Sequence, residues 1–144
     1  MPWTMPAETA PHDRVWMAFP RINTTLAESA ADAETAYAAW SQVANTVSEF
    51  EPVTIVVDPS EVTRARSLIS SEVTIVEAPL DDAWMRDIGP TFVVDDSGQL
   101  GAVAWTFNGW GAQEWAEWTN DRQIGRFVAG QAGVPVISSM LVQE

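Results

Sequence analysis

Val53-Thr54-Ile55-Val56-Val57 is an unbroken run in which every residue is β-branched. Such a run is a strand by preference. Asp58-Pro59-Ser60-Glu61 follows at once. Asp58 can cap a helix, Pro59 suits its first position, and Glu61 completes a capping-box pattern, which predicts a helix to about Ile69. Val73-Thr74-Ile75-Val76 is a second β-branched run. Strand, helix and strand at this spacing call for a parallel pair joined by a crossover. The fold class is therefore α/β.

The remaining segments agree with that class. Arg14 to Phe19 predicts a buried strand ending at Pro20. Asn23 or Thr24 to Phe50 contains no Gly or Pro, and Tyr37, Trp40, Ala44, Val47 and Phe50 recur at helical spacing. This is an amphipathic helix with an Asn/Thr start signal, stopped at Glu51-Pro52. Strands are predicted over 91–95 and 101–107, joined through the turn Asp95-Asp96-Ser97-Gly98. A last helix spans 119–132 with Gly133 as its stop, and 134–142 opens another strand. The stretches 53–77 and 103–138 share the same strand–helix–strand order, which hints at a structural repeat.

Charge narrows the function classes. Twenty acidic residues face seven basic ones, all arginine, for a net charge of -13. Nothing basic is clustered enough for nucleic acid or for an anionic membrane surface. A small cation suits the sign of the field. A 47% hydrophobic fraction and eight tryptophans exclude disorder. There is no cysteine and a single histidine, His12. Disulfides, thiolate metal sites, a cysteine nucleophile and a His pair for zinc are thus absent from these residues. No apolar run is long enough to span a membrane, and the first residues carry no basic or apolar leader, so the expected location is the cytoplasm. His12, beside Asp13 in a turn, reads as a local hydrogen-bonding residue.

Three segments could carry chemistry. Asp81-Asp82-Ala83-Trp84-Met85-Arg86-Asp87-Ile88-Gly89-Pro90 joins two predicted strands and concentrates three carboxylates, an arginine and an indole. A carboxylate beside an indole face suits a guanidinium, which can donate two parallel N–H bonds and lie over the ring. The same residues would also suit a structural salt bridge from Arg86 to an Asp, with Trp84 in the core. Trp105-Thr106-Phe107-Asn108-Gly109-Trp110-Gly111 ends a strand, and its aromatics either pack around a tight Asn-Gly turn or wall a pocket for an amine. Glu114, Glu117 and Asp121, with Trp115 and Trp118, read as a solvated face at a helix entry.

Taken together, Met5-Pro6-Ala7-Glu8, Pro11 to Pro20, the 81–90 loop and the 105–111 segment resemble the agmatine deiminases, also described as bacterial-type peptidyl-arginine deiminases. The resemblance runs along the whole chain, in order. It implies a pentein fold, a five-bladed α/β propeller of which residues 1–144 would supply about two blades, as a single incomplete domain from the N-terminal part of the catalytic domain. It implies hydrolysis of agmatine to N-carbamoylputrescine and ammonia, a step of putrescine synthesis. In that chemistry a thiolate attacks the guanidinium carbon, ammonia leaves, and water resolves the adduct.

By the same resemblance, Asp87 matches a guanidinium-holding Asp, in preference to Asp81 or Asp82. Trp84 matches the tryptophan that lines the substrate pocket, and Glu144 matches the catalytic Glu. Arg86 matches an arginine that holds the loop. The family's histidine, second Asp and nucleophilic cysteine lie further along and have no counterpart here, so the chain alone is expected to be inactive. No cofactor or metal is implied. The implied partner is the small guanidinium cation, with no nucleic acid and no membrane, and a homo-oligomer is allowed. The alternatives are a peptidyl-arginine deiminase fragment, a non-catalytic guanidinium- or amine-binding module, and a plain α/β structural domain with the tryptophans as core.

Overall fold

The computed structural model describes residues 2–23, 25–27 and 29–142 of the chain. Its strands are β1 (Trp3–Thr4), β2 (Val15–Ala18), β3 (Val53–Val57), β4 (Thr74–Glu77), β5 (Thr91–Asp95), β6 (Leu100–Thr106) and β7 (Val136–Val142). Its helical elements are α1 (Ala30–Ser48), α2 (Val62–Leu68), α3 (Met85–Ile88), the single turn α4 (Gly109–Ala112) and α5 (Ile124–Ala132). Short 3-10 turns, Pro59–Glu61 and Asp121–Gln123, lead into α2 and α5.

The strands form two sheets, of order β2-β3-β4 and β1-β5-β6-β7. The first is wholly parallel, with Ile55 of β3 level with Met17 of β2 and Ile75 of β4. In the second, β5 and β6 form the expected antiparallel hairpin, and β7 returns parallel to β6 after α5. Both strand–helix–strand stretches therefore close as parallel crossovers. β1, too short to register as a pattern, pairs antiparallel with β5.

All five residues of β3 are buried, as a central strand of β-branched residues demands. Two apolar clusters fill the molecule. One packs Phe19, Tyr37, Ala44, Ile55 and Val73 beneath α1 and α2. The other joins Ala18, Val56 and Leu80 to Ile88, Phe107, Ile124 and Val128, and so ties the first sheet to the second. Tyr37 stacks on Phe19 at 5.6 Å and donates to Glu61 Oε1 at 3.0 Å. Burial, then that bond, push its phenol up to about 12. β7 lies at the edge of its sheet, and Met140, Leu141 and Val142 are exposed along it.

Two start signals resolve differently from expectation. α1 begins at Ala30, capped by Ser29, whose Oγ accepts from Asp32 N–H at 3.2 Å. Asn23 caps an earlier turn instead, its Oδ1 accepting from the Thr25 and Leu26 amides; Thr24 lies outside the described residues. Asp58 caps as expected, accepting from Ser60 N–H at 3.0 Å. Glu61 does not close the capping box; it accepts from Tyr37 and pairs with Arg64 at 3.3 Å.

Candidate functional site

In a parallel sheet, side chains converge beyond the carboxyl ends of the strands, where loops face a common crevice. The segments that follow β2, β3 and β4 meet there. Arg21 donates to the Leu80 carbonyl at 2.8 Å, and Asn23 Nδ2 donates to the Asp81 carbonyl at 2.8 Å. Thr25 Oγ1 donates to Asp82 Oδ2. Asp58, directly after β3, accepts from Leu80 N–H at 3.0 Å. Burial raises the Asp58 carboxyl, but the Ser60 hydroxyl, the Leu80 and Ser60 amides and the nearby Arg21 outweigh it and hold the group below its ordinary value. The 80–83 segment is thus pinned from two neighbouring strands before the loop reaches Trp84.

α3 itself is one turn. Trp84 stands at its start, and its carbonyl accepts from the Asp87 and Ile88 amides at 2.9 and 3.1 Å. Trp84 and Asp87 thus stand at the start and within the same single turn, three residues apart. Trp84 is 39% exposed and is held edge-on by Trp40 of α1, ring centres 5.5 Å apart. Asp87 is half-buried, and no hydrogen bond or ion pair engages its carboxylate among the described residues. Arg86 points away, its only ion pair among the described residues being with Glu8 at 3.5 Å, both groups well exposed. The salt-bridge alternative from sequence, Arg86 to an Asp over a core tryptophan, therefore does not describe this loop. Arg86 holds the loop weakly, through an exposed pair of the kind that contributes little. Glu144 lies outside the described residues.

Asp81 and Asp82 are buried and serve the fold. Asp81 accepts from Asn120 N–H and Nδ2 at 2.7 Å each and from Asp121 N–H at 3.2 Å, while its own N–H donates to Asp121 Oδ1 at 2.8 Å. Asp121 corrects the expectation of a solvated acidic face. Glu114 and Glu117 are exposed, but Asp121 is fully buried, and its Oδ2 has no hydrogen-bond partner among the described residues. Burial first, then the neighbouring Asp81 and Asp82 carboxylates, push its carboxyl up to about 7, outweighing the Asp81 and Asp82 amides that favour its charged form. The signal was present in the spacing: Asp121, Ile124 and Val128 lie on one stripe, and the latter two are core.

A carboxyl raised from 3.8 to about 7 on folding leaves the folded state holding more protons than the unfolded chain across that interval. Stability then falls as pH rises. The contribution is full below about pH 4, declines steadily, and is gone above about pH 7; its size is on the order of 4 kcal/mol. Urea unfolding midpoints should drop between about pH 5 and pH 7.5, and Asp121→Asn, neutral throughout, should flatten that drop. A midpoint rising over the interval in both proteins would contradict this.

The aromatic segment is a tight turn with packed rings. Gly109, Trp110, Gly111 and Ala112 all have positive φ, from 55° to 90°. A short left-handed turn results, closed by Ala112 N–H to the Asn108 carbonyl at 2.8 Å and Gln113 N–H to that of Gly109 at 3.2 Å. Gly109 is obligatory, because a Cβ there would lie 2.2 Å from the Trp118 ring. Trp110 meets the buried Phe107 edge-on at 5.1 Å and stacks on Trp115 at 5.6 Å. A separate cavity of about 730 Å³ lies behind the loop, lined by Glu8, His12, Trp16, Met85 and Arg86 among others, but not by Trp84 or Asp87. His12 binds the Glu8 carbonyl, the local role read from sequence, and also reaches the distant Glu51.

Residues 4–144 match the model of the Porphyromonas-type peptidyl-arginine deiminase family. A Streptomyces coelicolor protein named "Putative agmatine deiminase" is 54% identical over 144 residues, 100% of this chain and 42% of that one. The Stutzerimonas stutzeri protein named "Agmatine deiminase" is 42% identical over 126 residues, 85% of this chain and 33% of its own. The solved structure of an agmatine deiminase of Enterococcus faecalis superposes with a TM-score of 0.87 at 29% identity, covering 95% of this chain and 38% of that one. The chain thus spans about two fifths of the length of the relatives it matches. Its two sheets are two blades of a pentein propeller. Among the described residues no helix is long and apolar enough to cross a membrane.

Proposed function

Since the chain belongs to the Porphyromonas-type peptidyl-arginine deiminase family, we propose that it forms the guanidinium-binding part of an agmatine deiminase, with Asp87 and Trp84 holding the substrate's charged end. The observation that carries this reading is a half-buried carboxylate without a partner among the described residues, one helical turn from an exposed indole. A guanidinium keeps its charge at every ordinary pH and can donate two N–H bonds to one carboxylate. The indole face adds cation–π attraction and excludes water from one side. With no thiol in its 144 residues, the chain contributes binding and orientation while the nucleophile comes from elsewhere in the active site. Glu144 is assigned the proton-handling role by family resemblance alone.

The test is a chimera in which these 144 residues replace the matching segment of the Streptomyces coelicolor relative. It should release ammonia from agmatine and leave a ureido product, whereas the 144-residue chain by itself should release none above background. An inactive chimera of native circular dichroism, or turnover by the chain alone, would overturn the reading. In the active chimera, Trp84→Ala should weaken agmatine binding by about 1–2 kcal/mol, the worth of a desolvated cation–π contact. Titration of binding against unfolding midpoint separates the cases: a variant that loses stability but binds normally in its folded fraction makes Trp84 core.

A further inference from the structure

We propose that Asp121 is a positioning residue for the guanidinium site, acting through a reciprocal clasp with Asp81 that seats the loop carrying Trp84 and Asp87. The inference rests on the assignment of that site made above. Asp81 opens the loop, and Asp121 opens the 3-10 turn that leads into α5. Each donates its backbone N–H to the other's carboxylate, at 2.8 and 3.2 Å. The far end of α3 rests on the same base. Ile88 and Ile124 share one apolar cluster, and a Cβ at Gly125 would lie 3.5 Å from the Ile88 carbonyl oxygen. α3 is therefore fixed to the start of α5 at both of its ends, by the clasp before Trp84 and by close packing after Asp87. A change at Asp121 acts on the loop at Asp81, in competition with the bonds from Asp58, Asn23 and Thr25 that hold the same segment.

Asp121 is built to change. It is fully buried, one oxygen has no partner among the described residues, and the carboxylates that act on it from the site loop are Asp81 and Asp82. On the elements packed against it, Arg86 of α3 is turned outward to Glu8, Asp87 is a further acid, and Arg122 beside it in sequence is exposed. An unpartnered oxygen costs less on a neutral acid than on a buried carboxylate. Asp121 is a neutral acid at low pH and titrates near 7, where two adjoining carboxylates then repel across the clasp. The site loop is set firmly on the acid side of that point and loosened on the other.

The experiment needs no ligand. The 144-residue chain is prepared with carboxyl-¹³C aspartate and 5-fluorotryptophan and titrated from about pH 5.5 to pH 8.5, with circular dichroism confirming the fold. The Asp121 carbon, assigned by its loss in Asp121→Asn, should titrate near pH 7. The Trp84 fluorine, assigned with Trp84→Phe, should move with the same midpoint. In Asp121→Asn, the uncharged isostere, it should stay at its low-pH position throughout. The proposal fails if Asp121 titrates below about pH 5, if Trp84 stands still while Asp121 titrates, or if Trp84 still titrates in Asp121→Asn. Should that variant not fold, the shared midpoint of the two wild-type signals decides alone, with the raised aspartate carbon taken as Asp121. A dead chimera would sink the guanidinium assignment without touching this titration, so the two failures are distinguishable.

Discussion

Asp87→Asn in the active chimera should lower agmatine turnover by about two to four orders of magnitude while leaving the fold intact. Asn keeps the shape of Asp but removes the charge and replaces one acceptor oxygen with a donating NH₂. A guanidinium seated there would lose its bidentate partner and meet a donor with donors. Breaking a desolvated ion pair from one side costs roughly 3–5 kcal/mol, which converts to the stated loss in rate. The fold should be spared, because no described residue depends on the Asp87 side chain for a hydrogen bond or an ion pair. Ammonia release and thermal midpoints on matched preparations check both halves. Near-normal turnover would place the guanidinium elsewhere, and an equal loss of turnover and stability would make Asp87 a structural residue.

The parallel sheet was legible because β-branched runs and the Asp58-Pro59 start leave few alternatives, and β3 lies at the predicted residues. Gly133 ends α5 in the left-handed conformation its sequence position foretold. What escaped was anything decided by contacts between distant segments. Asn23 looked like a helix start, because its preference for capping is local; which turn it caps is settled by the 80–82 loop it also ties down. Asp121 looked like surface because acids usually are, and only its partner forty residues away explains its burial. Within the candidate site, the 81–90 loop stood out by its residues, but neither the turn α3 nor the orientation of its side chains was legible. That Arg86 turns outward to Glu8 while the carboxylate one residue on stays unengaged follows from the single turn after Trp84, too short to appear as periodicity.

The same contacts reverse the weight that sequence places on the three loop carboxylates. Asp87 was singled out, with Asp81 and Asp82 as minor neighbours, and for substrate that order stands as the proposal. For the fold the order is inverted. Asp81→Ala in the 144-residue chain should lower stability by about 3–5 kcal/mol, among the largest effects of any single change outside the apolar core. The substitution removes the acceptor for the Asn120 and Asp121 amides and for Asn120 Nδ2 at once. The two amides are fixed by the 3-10 turn and cannot turn to water; each buried donor left unsatisfied costs about 1–3 kcal/mol. Asn120 Nδ2 can rotate outward, which keeps the sum below three full penalties. The thermal midpoint should fall by about 8–15 °C for a domain of this size. Arg86→Ala, which removes a single exposed ion pair, should barely move it. A midpoint within about 2 °C of the parent for Asp81→Ala would mean that the turn into α5 holds without the clasp, and that the loop carrying Trp84 and Asp87 is seated by Asp58, Asn23 and Thr25 alone.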